Sequence, residues 1–405
     1  MQSSAHNDPQ LEYSREAISN RQAAGANRQL GTERLSWSII GFAVEVTNVV
    51  SRLVPTRMRA VVLKGHGGFE QLEYREDWPV PNAGPGEVLI RVGASAVNNT
   101  DINTRVGWYS KSAGNSFEPA SSTVDDGAWG GNALRFPRIQ GADACGEIVA
   151  VGAGVDSNRI GQRVLVDPMM LDGNESLKYV GSECDGAFAE YIKVPTQNAY
   201  AISSSLSDAE LASFPCSYAT AEGLVTRAQV VAGERVLVTG ASGGVGSGVV
   251  QLARRRGAHV FAVAGSSKRS VITELGAERV ISREANLSTE IGAESVDVVI
   301  DVVGGSAFAG LLAVLRQCGR YAVAGAVGGP FVDLDLRTLY LKDLTLLGCT
   351  RQPSGTFRRL VEYIERGEIR PLVGEIYPLR DIVAAQEAFL KKRHVGKIVL
   401  SVRDT

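Results

Sequence analysis

The sequence predicts an α/β protein that combines a β-rich part with a doubly wound parallel sheet and carries a helical extension at its N-terminus. Three observations predict this fold class. Residues 58–195 contain short strands with period-two alternation, strands and amphipathic helices alternate from about residue 208, and a glycine-rich turn joins the first of these later strands to its helix. With 405 residues, of which 44% are hydrophobic, the chain is long enough to bury a core in each part.

The first unit, residues 1–57, is predicted to be helical. Asp8-Pro9 is typical of a helix start and Gly25 of a helix end. Farther along, one helix face carries apolar residues at helical spacing, namely Ile39, Phe42, Ala43, Val46, Val49, Val50 and Leu53. We expect this face to pack on the rest of the protein or on a second subunit, and attachment to a membrane surface is the alternative. Translation from Met58 is a further reading that the sequence leaves open.

The strand pattern begins at Met58. The segment MRAVVL is followed by PNAGPG and then by EVLIRVGASAVN, in which Val88, Ile90, Val92 and Ala94 occupy alternate positions. Such alternation, bounded by proline and glycine, predicts half-buried strands. Residues 110–136 interrupt the pattern with a polar, glycine-rich stretch, and a loop of this length in a compact domain is usually functional.

The second half of the chain alternates strands with helices. The apolar segments RVLVTG, HVFAVAG, VDVVIDVVGG and RYAVAGA are separated by amphipathic stretches such as AFAGLLAVLRQ. Apolar strands joined by amphipathic helices predict a parallel sheet that is covered on both faces.

The turn in VLVTGASGGVGSGVVQLA, residues 236–253, matches a dinucleotide-binding fingerprint. It follows a strand, opens a helix and contains Gly240, Ser242, Gly243, Gly244, Val245 and Gly246. Residues without a Cβ let the backbone approach a pyrophosphate, and the free N–H groups at the helix start receive its negative charge. The alternative is a tight turn that only allows close packing of helix on strand.

The end of the second strand of this sheet indicates which dinucleotide binds. NAD-binding proteins carry an acidic residue there for the ribose 2′-hydroxyl. This chain has no carboxylate at that place and instead carries Gly265, Ser266, Ser267, Lys268 and Arg269. Hydroxyls and cations suit a 2′-phosphate, so we predict NADP as the cofactor. In the alternative reading, Lys268 and Arg269 are ordinary helix residues that face water.

Composition narrows the partners to small molecules. A net charge of −2 gives no general attraction to nucleic acid, and no apolar run predicts a bilayer span because Glu45 interrupts the best one, residues 35–54. Five scattered cysteines without a CxxC pair favour a reducing compartment, the cytoplasm. The four histidines, at positions 6, 66, 259 and 394, have no metal-ligand spacing.

Several segments, in their order along residues 58–402, resemble the medium-chain dehydrogenase/reductase superfamily. They are PGEVLIRVGASAVNNTD, GADACGEIVAVG, GQRV, GAFAEY, LASFPCSYATA, the glycine turn and HVGKIVL. The resemblance implies a GroES-like catalytic domain at 58–205, completed by residues 346–405, and a Rossmann dinucleotide-binding domain at 206–345. It also implies a homodimer in which the strand around LTLLGCT pairs two subunits.

The same resemblance implies that the chain lacks zinc. Zinc alcohol dehydrogenases of this superfamily carry a catalytic cysteine where this chain has Asn98, and a Gly-His-Glu triplet where it has Gly141-Ala142-Asp143. Only Cys216 matches a ligand position, and one thiolate does not hold Zn²⁺. Of the four cysteines of a structural zinc lobe near residues 168–184, only Cys184 is present.

Without a metal, the acceptor must already be electrophilic. The sequence is similar to the zinc-independent quinone oxidoreductase and enoyl-reductase branch, so we predict transfer of a hydride from NADPH to a quinone or an α,β-unsaturated carbonyl compound. Three site residues are predicted. Asn98 would polarise the carbonyl, and Tyr109 would donate a proton or a hydrogen bond. Asp101 is expected to hold neighbouring backbone groups in place rather than to act as a base. Thr220 would contact the cofactor near its nicotinamide end, and residues 324–329 would offer backbone groups to the carboxamide.

The position two residues past Asp101 leaves the proton donor open. Quinone reductases tend to have a tyrosine there, and this chain has Asn103, so Tyr109, the loop at 110–136 or water could fill the role. Two alternative functions remain. One is a catalytically weak NADPH-binding protein with a structural or regulatory role, and the other is a zinc alcohol dehydrogenase with altered ligands.

Overall fold

The computed structural model describes residues 54–110, 128–129, 133–171 and 177–403. All of them belong to one compact unit, Val54–Thr405. Two predictions therefore fall outside the described residues: the helical extension at its residues 1–53, and most of the polar loop at 110–136.

The described strands, in chain order, are β1 (Arg57–Leu63), β2 (Leu72–Pro79), β3 (Glu87–Val97), β4 (Arg138–Ile139), β5 (Cys145–Val151), β6 (Arg163–Val166), β7 (Met169–Leu171), β8 (Leu177–Tyr179), β9 (Tyr191–Pro195), β10 (Ala199–Ala201), β11 (Arg235–Val238), β12 (His259–Ala264), β13 (Arg279–Ser282), β14 (Val296–Asp301), β15 (Leu315–Val323), β16 (Thr345–Gly348), β17 (Val373–Pro378) and β18 (Lys397–Ser401). The described α-helices are α1 (Asn99–Val106), α2 (Asp208–Leu211), α3 (Pro215–Arg227), α4 (Gly244–Arg255), α5 (Arg269–Glu274), α6 (Leu287–Ile291), α7 (Phe308–Val314), α8 (Leu336–Leu341), α9 (Thr356–Glu365) and α10 (Ile382–Leu390).

The second half of the chain forms a six-stranded parallel sheet with the order β13-β12-β11-β14-β15-β16. Counted from β11, this is the order 3-2-1-4-5-6 of a doubly wound dinucleotide-binding sheet. Its apolar strands are buried on both faces: Val236 and Val238 pack into one core and Leu237 into another. The order reverses beside β11, which is where such sheets bind ligands at the carboxyl ends of their strands.

The β-rich part forms a second sheet with the order β10-β6-β5-β3-β18-β17, and β9 also pairs with β3. Val88, Ile90 and Val92 are buried in the core of this part and Arg91 is exposed, but Leu89 and residues 92–97 are buried as well. The predicted half-buried alternation is therefore wrong for most of β3, because Ala94 and Ala96 pack into the core shared with the parallel sheet. The chain returns to this sheet at its C-terminus, because β18 pairs antiparallel with β3 and parallel with β17. The predicted fold class is confirmed for the described part of the chain.

Candidate active site

The glycine turn connects β11, the first strand of the parallel sheet, to helix α4. Gly240 follows β11 with a φ of +57°, in the left-handed region, and Gly243 is the N-cap of α4. A Cβ on Gly246 would lie 2.2 Å from the carbonyl oxygen of Gly240, so only glycine allows the helix to approach the turn this closely. Within the described part of the chain, and apart from its neighbours in sequence, a Cβ on Gly243 would meet only the Gly240 carbonyl oxygen, at 3.5 Å, so no described side chain covers this residue.

The predicted 2′-phosphate residues follow β12. Ser266, Ser267 and Arg269 are exposed, and Lys268 is half-buried. The Nζ atom of Lys268 donates to the carbonyl oxygens of Lys392, at 2.9 Å, and His394, at 2.6 Å. Burial, and to a smaller extent the charge of Arg283, lower the pKa of Lys268. An ammonium has three N–H donors, so these two carbonyls leave one for a ligand.

The sequence interpretation missed Arg283. Its guanidinium lies beside Gly265, because a Cβ on Gly265 would be 3.6 Å from its Nη2 atom. Arg283 follows the last residue of β13, the strand that pairs with β12, and this pairing brings it next to Lys268. The sequence feature that could have identified Arg283 is a positively charged residue directly after β13.

Asn98 precedes α1, and Asp101 lies in the first turn of that helix. The buried Asp101 carboxylate accepts hydrogen bonds from the backbone N–H of Asn98, at 2.7 Å, and of Gly141, at 3.1 Å. Burial raises the pKa of Asp101 to about 7, although those amides and the charge of Lys397 oppose the increase. The Asn98 side chain donates through Nδ2 to the carbonyl oxygen of Ala96 and to Asp143, so both amide hydrogens are engaged within the protein.

A buried ion pair lies behind Asn98. Lys397, the first residue of β18, places its Nζ atom 2.9 Å from Asp143 Oδ2, and the same ammonium donates to Asn98 Oδ1. The other Asp143 oxygen accepts the backbone N–H of Cys216 at 2.6 Å. Asp143 and Lys397 are 0% and 2% exposed, so this is a charged network shielded from water.

Aromatic residues line the space on the other side of Cys216. The hydroxyl of Tyr179 donates to Cys216 Sγ at 3.1 Å, and the Tyr179 ring stacks on Trp129 with 4.5 Å between the centroids. Burial raises the pKa of Cys216 to about 12, with a further increase from Asp143, so the group is a thiol at neutral pH. Tyr179 was not among the residues predicted from the sequence.

Tyr109 follows α1 and belongs to the same cluster. Burial raises the pKa of its phenol to about 12, and hydrogen bonds with the side chains of Thr100 and Asn103 oppose the increase. Tyr109 also lies close enough to Cys216 and Asp101 for both groups to raise the pKa of its phenol further. Thr220, by contrast, bonds its own helix, because its hydroxyl donates to the carbonyl oxygen of Cys216 at 2.8 Å.

The residues at the family's zinc positions do not fit a zinc ion. Asn98 Oδ1 accepts from an ammonium and Ala142 has no donor atom, so of these positions only Cys216, bonded by Tyr179, carries a ligand side chain. Zinc requires three or four deprotonated or neutral donors around one point. Within the described ranges, no group of three or more His, Cys, Asp and Glu side chains could hold a metal ion.

Two family matches cover much of the described chain. Residues 84–204 match the family described as "Alcohol dehydrogenase GroES-like domain", and residues 244–366 match the family described as "Zinc-binding dehydrogenase". No helix in the described residues has the length and apolar character needed to cross a bilayer.

Relatives extend over most of the chain. It is 31% identical to acryloyl-coenzyme A reductase of Metallosphaera sedula, over 85% of this chain and 100% of the relative. It is 29% identical to quinone oxidoreductase of Rattus norvegicus, over 85% of this chain and 97% of the relative. A crystal structure of a candidate alcohol dehydrogenase from Sinorhizobium meliloti 1021 shares 46% identity with a TM-score of 0.80, covering 88% of this chain and 99% of that one.

A doubly wound sheet with a glycine turn at its first crossover, joined to a β-rich part that carries the charged and aromatic cluster, defines the dehydrogenase class of α/β folds. The chain belongs to the medium-chain dehydrogenase/reductase superfamily, and it is an oxidoreductase of that family.

Proposed function

We propose that the protein is an NADPH-dependent reductase of quinones or α,β-unsaturated carbonyl compounds that works without a metal. The observation that carries the proposal is the network of Asn98, Asp143 and Lys397, in which Asn98 stands where zinc members of the family have a catalytic cysteine and the Lys397 ammonium contacts its side chain. A pocket built in this way supplies no Lewis acid, so its acceptor must be electrophilic already. The similarity to enzymes named quinone oxidoreductase and acryloyl-coenzyme A reductase supports this acceptor class.

The cofactor would bind along the carboxyl ends of β11 and β12. The proposed diphosphate site is Gly240, Ser242, Gly243, Gly244, Val245 and Gly246, and the proposed 2′-phosphate site is Ser266, Ser267, Lys268, Arg269 and Arg283. Lys268 supports this assignment because two backbone carbonyls hold its ammonium in place and one donor remains. A fixed donor loses little conformational entropy when a phosphate binds.

Bound NADPH supplies the hydride. Its transfer would break a C–H bond of the reduced nicotinamide, form a C–H bond on the electrophilic acceptor carbon and move an electron pair through the conjugated system onto the acceptor oxygen, leaving the cofactor oxidised. We assign to Tyr109 the hydrogen bond to that oxygen and the proton that completes the reaction. Because burial raises the pKa of Tyr109 to about 12, the phenol holds its proton at neutral pH until the acceptor becomes an anion. Bonds from Thr100 and Asn103 stabilise the resulting phenolate, and water then restores its proton.

Asn98 and Asp101 have supporting roles in this proposal. Asp101 ties the start of α1 to Gly141, next to the Ala142 position. For Asn98 to polarise a carbonyl as predicted from the sequence, one of its two amide hydrogens would have to leave its present acceptor. Thr220 remains the proposed contact near the nicotinamide end of the cofactor.

The function is tested by NADPH oxidation with 1,4-benzoquinone and but-3-en-2-one, with elemental analysis of the purified protein. We expect turnover of at least one acceptor, no stoichiometric zinc, and a higher kcat/KM for NADPH than for NADH. The variants Lys268→Ala and Arg283→Ala should reduce that cofactor preference about tenfold each, since a charge-assisted hydrogen bond contributes about 1.5–3 kcal/mol. Tight NADPH binding without turnover would instead favour the regulatory alternative.

We also propose that a second copy of the chain binds at β16. In the described part of the chain, this strand pairs only with β15, so one edge of the parallel sheet is open. Large apolar residues near it are exposed, among them Phe331 at 67%, Leu336 at 64% and Leu341 at 66%. An unpaired edge with an apolar border suits strand pairing with an identical edge.

A further inference from the structure

Lys397 is buried deeply for a lysine, and its ammonium is paired with a carboxylate. Only 2% of its surface is exposed, and its ammonium contacts Asp143 and Asn98. Removing two charges from water costs several kcal/mol per ion, and apolar residues of similar size often stabilise a protein as well or better. Stability is therefore a weak explanation for a buried ion pair at this place.

The ion pair organises the catalytic side of the cleft. The Asp143 carboxylate accepts from the amide N–H of Cys216 at the start of α3 and from the side chain of Asn98 before α1. These contacts set the positions of two helix starts whose residues reach Tyr109 and Tyr179. Without the ammonium, Asp143 would be an uncompensated buried carboxylate and these contacts would rearrange.

The stem of the same lysine packs on the proposed cofactor turn. A Cβ on Gly244 would lie 2.7 Å from Lys397 Cδ and 2.5 Å from Ser217 Oγ, so the stem fills the space beside the first residue of α4. The preceding residue, Gly396, donates its N–H to the carbonyl oxygen of Ser242 at 2.8 Å. One residue thus touches the cofactor turn with its stem and the catalytic network with its charged end.

The segment leading into Lys397 is anchored to the other end of the proposed cofactor site. Lys268 donates to the carbonyls of Lys392 and His394, and the Nζ atom of Lys392 lies 3.1 Å from Asn99 Oδ1 at the start of α1. Residues 392–397 therefore connect the proposed 2′-phosphate site, the glycine turn and the catalytic network.

We propose that Lys397 is a positioning residue for hydride transfer. It keeps Asn98, Asp143 and Cys216 at fixed positions relative to the glycine turn. The inference rests on the proposed function and deepens it. An internal ammonium organises the positions that carry metal ligands in zinc members of the family. Because a displacement of about 1 Å can slow an enzymatic step about 100-fold, loss of this contact should act mainly on kcat.

The test compares Lys397→Met and Lys397→Arg with the control Arg256→Met. The half-buried Arg256 forms an ion pair with the buried Glu222 at 2.8 Å, at the far end of α4, about 18 Å from Gly244 at 1.5 Å per residue. The measurements are NADPH affinity by fluorescence, kcat with 1,4-benzoquinone, and the deuterium isotope effect on kcat with NADPH labelled at the transferred position.

We expect Lys397→Met to lower kcat at least 30-fold and to increase the isotope effect, with a change in NADPH Kd below threefold. Lys397→Arg should recover part of the rate, and Arg256→Met should keep both rate and isotope effect. If Lys397→Met does not fold, the double variant Asp143→Asn, Lys397→Met, which removes both charges, carries the same expectation. A kcat within threefold of wild type, or an equal loss in Arg256→Met, would overturn the proposal.

Unfolding by urea provides a readout that needs no substrate. The double variant of Asp143 and Lys397 should be less destabilised than the sum of the two single variants, because each single change leaves a buried charge unpaired. Additive effects would contradict the ion pair and with it the positioning role. Absence of turnover in the wild-type protein would refute the proposed function, whereas the unfolding cycle would still decide whether Lys397 and Asp143 act together.

Discussion

Gly243 offers a way to separate cofactor binding from folding at the glycine turn. It is the N-cap of α4, with a φ of −86° and a ψ of 175°, so alanine can adopt its backbone conformation. Among the described residues other than its chain neighbours, a methyl group there would approach one atom within 4 Å, the Gly240 carbonyl oxygen at 3.5 Å, and the rest of the space around it holds none of their atoms. That space is where a diphosphate would approach the helix start.

The structure therefore predicts a small effect of Gly243→Ala on stability and a large one on binding. Replacing an N-cap glycine with alanine should lower the free energy of unfolding by less than about 1 kcal/mol. Displacing the diphosphate from one backbone N–H should lose about 1.5–3 kcal/mol of binding free energy, which is about 10- to 150-fold in Kd. The proposed cofactor would thus dissociate from a folded protein.

Gly246→Ala is the matched variant, for which we expect the large effect to be on stability. Its Cβ would lie 2.2 Å from the Gly240 carbonyl oxygen and 2.7 Å from Ala241 Cα, which are backbone atoms that cannot turn away. We expect destabilisation of about 1–3 kcal/mol or more in urea unfolding. The assay is NADPH titration by fluorescence alongside urea unfolding of both variants. Unchanged NADPH affinity in Gly243→Ala would show that the diphosphate does not lie on this turn.

Three further predictions concern the catalytic part and the sheet edge. Tyr109→Phe should lower kcat more than tenfold at an unchanged NADPH KM, and a smaller loss would remove the phenol from the proposed chemistry. Asp101→Asn should remove a pH dependence of stability. The folded protein holds a proton on Asp101 up to about pH 7, whereas the unfolded chain releases it near pH 4. Wild-type stability relative to the variant should therefore be highest below about pH 4 and fall by at most about 1.4 kcal/mol per pH unit up to about pH 7 in urea unfolding, and a constant difference would contradict the assigned shift. Leu341→Glu should convert a dimer into a monomer in light-scattering measurements, while Val231→Glu, at a residue that is also exposed, should not, and a wild-type monomer would exclude the dimer proposal.

Local sequence patterns predicted the parts of the molecule that depend on neighbouring residues. The glycine turn was predicted because the left-handed φ of Gly240 and the tight approach at Gly246 are requirements of a short segment. The strand–helix alternation after residue 208 is local in the same way. These patterns were enough for the fold class and for the place of the proposed cofactor site.

The residues that the sequence interpretation missed depend on distant contacts. Lys397 and Asn98 are 299 positions apart, and Tyr179 and Cys216 meet only because β8 and the start of α3 pack together. Arg283 reaches Gly265 through the pairing of β12 with β13. No spacing rule within one segment reports such contacts. The role predicted for Asn98 illustrates the same limit, because only the fold shows that its amide hydrogens already have acceptors.

Charge balance links the buried network to the proposed chemistry. Asp143 and Lys397 cancel each other, and burial raises the pKa of Asp101 to about 7, so a large share of the molecules carry it as a neutral acid near neutral pH. The interior next to Cys216 is then close to electrically neutral, in contrast to a site that holds a divalent cation. A neutral acceptor enters such a pocket without a large desolvation penalty, and the anion that forms on hydride addition is stabilised only by hydrogen bonds and by protonation. This favours conjugated carbonyl acceptors over simple alcohols, whose alkoxides need a cation, and in the proposed reaction it makes the phenol of Tyr109 the group that stabilises and protonates the anion.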